Sequence, residues 1–142
     1  MGPAKVIVAD TSALLAIQFD EPECGPFLDL VKRTDKVLVS TVSVVEARMV
    51  VYSRRGHAGV LALDRFIERP VFEIIPPGPE EAKAAYEAFV LYGKGNGHPA
   101  ALNLGDLFAY ALAKTWNLPL LFKGNDFAQT DLAPAWAAPG GS

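Results

Sequence analysis

Residues 5–18 read KVIVADTSALLAIQ. Lys5–Ala9 is a short apolar run rich in β-branched residues, the pattern of a strand buried on both faces. Asp10 follows at once. Thr11–Gln18 then carries Leu14, Leu15 and Ile17 at helical spacing. A buried strand, an acid and a helix in direct succession form the opening unit of an α/β domain.

The rest of the chain repeats that alternation. Asp20 and Pro22 have the form of a helix start, a capping acid followed by Pro in the first turn, and the helix extends to about Arg33. Lys36–Ser40 (KVLVS) is a second strand. A helix begins at Ser43 and reaches Arg55, where Gly56 ends it. Another spans about Gly59–Arg69, before Pro70. Val71–Ile75 is a third strand, closed by PPGP. Glu80–Tyr92 is a helix with Ala82, Ala85, Tyr86 and Phe89 on one face. Gly93–Asn103 is a glycine-rich loop, a helix runs from Asn103 or Leu104 to about Trp116, and Leu118–Phe122 is a fourth strand. The segment after Asp131 is weakly structured or a short edge element. One domain is expected over residues 1–142, with a core at about 5–133, a tail at 134–142 and a parallel sheet of four to five strands.

Composition narrows the functional classes. The chain has 142 residues, 51% of them hydrophobic and 20% charged, enough for a core and against disorder. No apolar run approaches the roughly 18 residues of a membrane span, and MGPAKVIVAD is not a secretory signal. The single Cys24 excludes an internal disulfide and fits a cytoplasmic location. The net charge of −3 runs against a nucleic-acid ligand. Acids clustered around cations, however, lower the charge without repelling phosphate. Basic residues fall in groups: Lys32, Arg33 and Lys36; Arg48, Arg54 and Arg55; Arg65 and Arg69. Each group is also accounted for as a solvated face.

Four acids stand beside apolar stretches where charge is costly: Asp10, Glu46 in STVSVVEARMV, Asp106 in LNLGDLFAYALAK and Asp126 in LPLLFKGNDF. Each has a purely structural explanation. Asp10 caps the next helix, and Ser43 to Glu46 fits a capping box. Asp106 follows a cap at Asn103 and meets the helix dipole, and Asp126 fits an Asx-turn. Together they fall on one rim of the sheet, the carboxyl ends of the strands, where open α/β sheets bind ligands. Two carboxylates about 4 Å apart repel by roughly 4 kcal/mol at an effective dielectric near 20. Such a cluster calls for cations or protons. An all-oxygen set suits Mg²⁺ or Mn²⁺ and points to metal-assisted phosphodiester chemistry.

These segments, Asp10-Thr11-Ser12-Ala13-Leu14, Ser43-Val44-Val45-Glu46, Leu102–Ala113 and Leu120–Phe127, resemble the PIN domain, and within it VapC-type toxins of bacterial toxin–antitoxin pairs. The resemblance covers residues 5 to about 133. It implies a three-layer α/β/α fold and a Mg²⁺/Mn²⁺-dependent endoribonuclease acting on RNA. It also implies a small antitoxin protein that blocks the site, frequent homodimers and a cytoplasmic setting. Asp10, Glu46 and Asp106 match the family's three main acids, with Asp10 and Asp106 as metal ligands. Ser12 matches a supporting hydroxyl, and the fourth acidic position falls on Asn125 or Asp126, of which Asp126 is charged. The rival readings are a catalytically silent PIN fold, a receiver domain, which needs an acid after the third strand where PPGP stands, and a nuclease built on His57 or His98.

Overall fold

A computed structural model describes residues 4–137. The elements are β1 (Val6–Ala9), α1 (Thr11–Gln18), α2 (Cys24–Lys32), β2 (Lys36–Ser40), α3 (Thr41–Ile67), β3 (Phe72–Ile75), α4 (Pro79–Tyr92), α5 (Leu104–Trp116) and β4 (Leu120–Leu121). All strand pairs are parallel, in the order β3-β2-β1-β4. The chain therefore builds outward from β1 through β2 to β3, then returns to place β4 on the other side of β1. The switch in direction lies between β1 and β4, where such sheets open a crevice at their carboxyl ends.

Side-chain alternation along the strands divides the core into two. Ile7, Ala9, Val37, Val39 and Leu121 pack with α1, α2 and α3. Val8, Leu38 and Leu120 pack with α4 and α5. The domain is a three-layer α/β/α sandwich, and both faces of the sheet are covered. That is why its strands read as unbroken apolar runs. No helix among the described residues is long and apolar enough to cross a membrane.

Three local expectations change. Asp20 does not cap α2; it takes a left-handed conformation (φ 52°) in the connection, and Glu23 precedes the helix. α3 starts two residues before Ser43, because Ser40 ends β2 and caps α3 in one step, accepting from the Val42 N–H at 3.2 Å. The Ser43–Glu46 capping box therefore does not form. Gly56 (φ 67°, ψ −163°) leaves the helical region, as expected, so α3 is two helical segments joined at a kink. In α4, Ala85 and Ala88 are buried, while Tyr86 and Phe89 face outward at 68% and 41% exposure. Small alanines let α4 lie close to the alanine-rich α5, and the aromatic residues are left outside.

Beyond β4, the Ala135 N–H donates to Leu120 O at 2.8 Å and Leu120 N–H to Ala133 O at 3.0 Å. Trp136 packs edge-on to Phe27. The expected tail thus begins as an edge element docked on β4; residues 138–142 lie outside the described range.

Candidate active site

Asp10 is the pivot of the crevice. It leaves the end of β1 as the N-cap of α1, and its Oδ2 accepts from the Ser12 N–H at 3.0 Å. Its Oδ1 is buried with no hydrogen-bond partner, and the residue is 2% exposed. Burial drives the carboxyl from 3.8 up to about 7; the Ser12 amide opposes the rise, and the charges of Asp106 and Glu46 add to it. A cap explains one oxygen of Asp10 and leaves the other unexplained.

Asp106 enters from α5. Asn103 Oδ1 accepts from the Asp106 N–H at 2.9 Å, and Asp106 Oδ2 accepts from the Asn103 N–H at 3.0 Å, a complete capping box. The box fixes the carboxylate at the helix start, facing β1. Burial raises its pKa to about 6, the Asn103 amide pulls it down, and Glu46 and Asp126 push it up.

Glu46 comes from the second turn of α3, half-buried. Its carboxylate lies directly on Gly105. A Cβ built at Gly105 would stand 2.5 Å from Glu46 Oε1 and 2.7 Å from both Cδ and Oε2. The missing side chain of Gly105 is what lets α3 and α5 bring Glu46 beside Asp106. The surroundings of Glu46 are less buried than its flanking valines suggest: Val44 and Ala47 are inside, but Val45 is half exposed.

Asp126 is exposed in the turn after β4, before the short helical turn Phe127–Gln129. Of the two contenders for the fourth position, Asp126 is the one whose charge reaches Asp106. Asn125 instead lines a separate cavity. Ser12 joins the two sides of the switch point: its hydroxyl accepts from the Lys123 N–H at 2.9 Å, across 111 residues of sequence.

The charges of Asp106 and Glu46 thus act on Asp10, and those of Glu46 and Asp126 on Asp106, but among the described residues no three Asp, Glu, His or Cys side chains stand close enough together to hold a metal ion as they are. The histidines are elsewhere. His98 Nδ1 accepts from the Ala100 N–H and its ring meets Tyr92; His57 packs on Tyr52. Most of the grouped basic residues are engaged locally: Arg48 pairs with Asp64, Lys36 Nζ donates to Pro70 O, and Arg55 donates to Gln18 O. Arg54, over the Phe19 ring, borders Ser12 in a shallow cavity of about 320 Å³.

Residues 7–132 match the PIN domain family. The chain belongs to the PIN-domain family. It is 42% identical over 127 residues to VapC ribonuclease Mb0640 of Mycobacterium bovis, covering 89% of this chain and 96% of that protein. It is also 42% identical over 127 residues to Ribonuclease VapC of Mycolicibacterium smegmatis, covering 89% and 98%. Within the PIN family it is thus a VapC-type chain. Solved structures share the fold, among them the following two. Mycobacterium tuberculosis VapC20, a sarcin-ricin loop cleaving toxin, superposes with a TM-score of 0.74 at 18% identity, over 89% of this chain and 96% of that one. VapBC2 from Rickettsia felis, bound to a promoter DNA fragment, gives 0.72 at 15% identity, over 91% and 96%.

Sequence reading of this PIN chain missed Gly105 and Lys123. Gly105 had a visible signal, since a glycine in the first turn of a helix is unfavourable unless something needs the space. Lys123 had none, because its partners Glu21 and Glu23 lie at the start of α2, far away in sequence.

Proposed function

We propose that this VapC-type PIN protein is an endoribonuclease that hydrolyses RNA phosphodiester bonds with Mg²⁺ or Mn²⁺, leaving a 5′-phosphate and a 3′-hydroxyl. One observation carries the reading: the buried, unpartnered Oδ1 of Asp10 among the other acids at the switch point. A buried carboxylate oxygen without a donor is stable when protonated or when it ligates a cation. The donors here are all oxygen, the preference of Mg²⁺ and Mn²⁺.

In this reading Asp10 and Asp106 hold the ion, each pinned on its other oxygen by a backbone N–H. Glu46 orients from α3, and Asp126 serves a second ion or the attacking water. A bound divalent ion would acidify a water and stabilise charge on the phosphoryl oxygen. No side-chain nucleophile is needed. Arg54, beside Ser12, is the cation best placed to meet a flanking phosphate; such contacts position RNA without reading its sequence.

The partner we propose is a small antitoxin protein that covers the crevice. Solved relatives in fold come from such pairs, including VapBC-1 of Haemophilus influenzae, with a TM-score of 0.65 at 14% identity over 90% of this chain and 95% of that one. The surface supports a protein partner or a second copy: Tyr86, Phe89, Leu104 and Phe108 line an almost wholly apolar groove of about 290 Å³. Purified protein should cut single-stranded RNA in Mg²⁺ and stop in EDTA. Cutting that persists in EDTA, or in Asp10→Asn, would sink the reading.

A further inference from the structure

A second cavity shares Lys123 and Gly124 with the one that Ser12 borders. Its volume is about 420 Å³, within the range of small-ligand pockets. Trp136 and Phe122 form aromatic walls, and each is braced by a buried phenylalanine. Phe27 meets Trp136 edge-on at 5.4 Å, and Phe127 meets Phe122 at 5.3 Å. Glu23, Lys123 and Asn125 supply the polar lining.

Glu23 occupies the N-cap position of α2 but makes no capping bond, and its Oε1 is buried without a hydrogen-bond partner. Lys123 Nζ does not satisfy it. The ammonium sits 3.1 Å from Glu21 Oε1 and 3.5 Å from Glu23 Oε1, the latter at the limit of a useful hydrogen bond. Glu23 thus lines an aromatic-walled cavity as a partly exposed carboxylate that shares one ammonium with Glu21 and has its buried Oε1 without a hydrogen bond. The cavity is coupled to Asp10 through two hydrogen bonds, Lys123 N–H to Ser12 Oγ and Ser12 N–H to Asp10 Oδ2. Asn125 is the neighbour of Asp126 in the chain.

We propose that this cavity binds a guanine base of the RNA strand beside the phosphate that is cut. Single-stranded RNA is read by stacking bases on aromatic side chains and hydrogen-bonding their edges. A carboxylate only accepts. Guanine alone presents two adjacent N–H donors, N1–H and the 2-amino group, with O6 next to them for the Asn125 amide. Adenine and cytosine set a ring acceptor beside their amino group, and uracil flanks its N–H with two carbonyls, so both arrangements repel Glu23. The proposal rests on the ribonuclease reading for its substrate, and its test separates the two.

Fluorescein-labelled single-stranded RNA oligomers carrying one guanine, or inosine or adenine in its place, are titrated by anisotropy in EDTA, where no cleavage is expected. Inosine lacks the 2-amino group. Wild type should bind the guanine oligomer at least about tenfold tighter than the inosine one. Glu23→Gln should erase that difference, and Trp136→Ala should weaken all the oligomers together. Equal binding of guanine and inosine by wild type, which needs no variant to fold, overturns the proposal, as does a preference kept in Glu23→Gln. Failure of the ribonuclease reading looks different: RNA that is bound and not cut when Mg²⁺ is added.

Discussion

Replacing Asp10 by Asn should make the metal-free protein more stable, relative to wild type, as pH rises. The Asp10 carboxyl stands at about 7 in the folded chain against an ordinary 3.8, mainly because it is buried. At roughly 1.4 kcal/mol per pH unit, ionising it in the folded state costs about 4 kcal/mol. The sign follows from linkage. Below about pH 4 the group is neutral whether folded or not, and it imposes no penalty. Between about pH 4 and 7 the unfolded chain releases the proton and the folded chain keeps it, so wild-type stability falls. Above about 7 both states are ionised and the penalty is constant. The Asp10→Asn variant carries no such charge. Its amide does leave a buried donor unpaired, at a cost of about 1–3 kcal/mol, but protonated Asp10 leaves one too. The comparison that isolates ionisation is therefore the change with pH in the stability difference between variant and wild type. Urea unfolding in EDTA at pH 4 and pH 8 measures it. The difference should move by about 4 kcal/mol in favour of Asp10→Asn, on the order of 10 °C in melting temperature. Added Mn²⁺ should reverse the ranking at pH 8, since only wild type keeps the ligand. A stability difference that does not change between pH 4 and pH 8 would refute the reasoning that Asp10 is a strained, uncompensated acid.

Two further substitutions separate positioning from folding. Gly105→Ala adds a Cβ 2.5 Å from Glu46 Oε1, so the carboxylate must retreat by about 1 Å, which costs on the order of a hundredfold in rate when a site depends on it. Its melting temperature should hold or rise, because Ala favours helix, and adding the shorter side chain of Glu46→Asp should recover part of the loss; unchanged single-turnover RNA cleavage in Gly105→Ala counts against the placement of Glu46. Asp131→Ala, by contrast, removes the acceptor of the buried Tyr110 hydroxyl, now 2.6 Å away. Urea unfolding should show a loss of about 1–3 kcal/mol with RNA cleavage unchanged.

The segments that named the fold in the sequence were those whose local signal and tertiary role coincide. Lys5–Gln18 is apolar because β1 is covered on both faces, and Asp10 is at once a cap and the head of the crevice. Asn103 to Asp106 forms a capping box that any helix would accept. Ser40 shows where local reading stops: it ends a strand and caps a helix, and Ser43, three residues on, offered an equally good cap. The α4 face was misjudged for a physical reason. Helix periodicity reports which residues are apolar, and in α4 the close approach to α5 selects the small Ala85 and Ala88 over the larger Tyr86 and Phe89. The site itself was only half legible. Asp10 and Asp106 stand out by their flanks, but the contact of Glu46 with Gly105, the link from Ser12 to Lys123 and the choice of Asp126 over Asn125 depend on elements far apart in the chain.

That these acids make one divalent-cation site is tested most directly by calorimetric titration of the metal-free protein with Mn²⁺. Wild type should show saturable binding that releases protons near pH 7, where Asp10 is half protonated, and Asp10→Asn and Asp106→Asn should each abolish it while remaining folded by circular dichroism. Binding of equal affinity in wild type and both variants, or no binding by folded wild type, would contradict it.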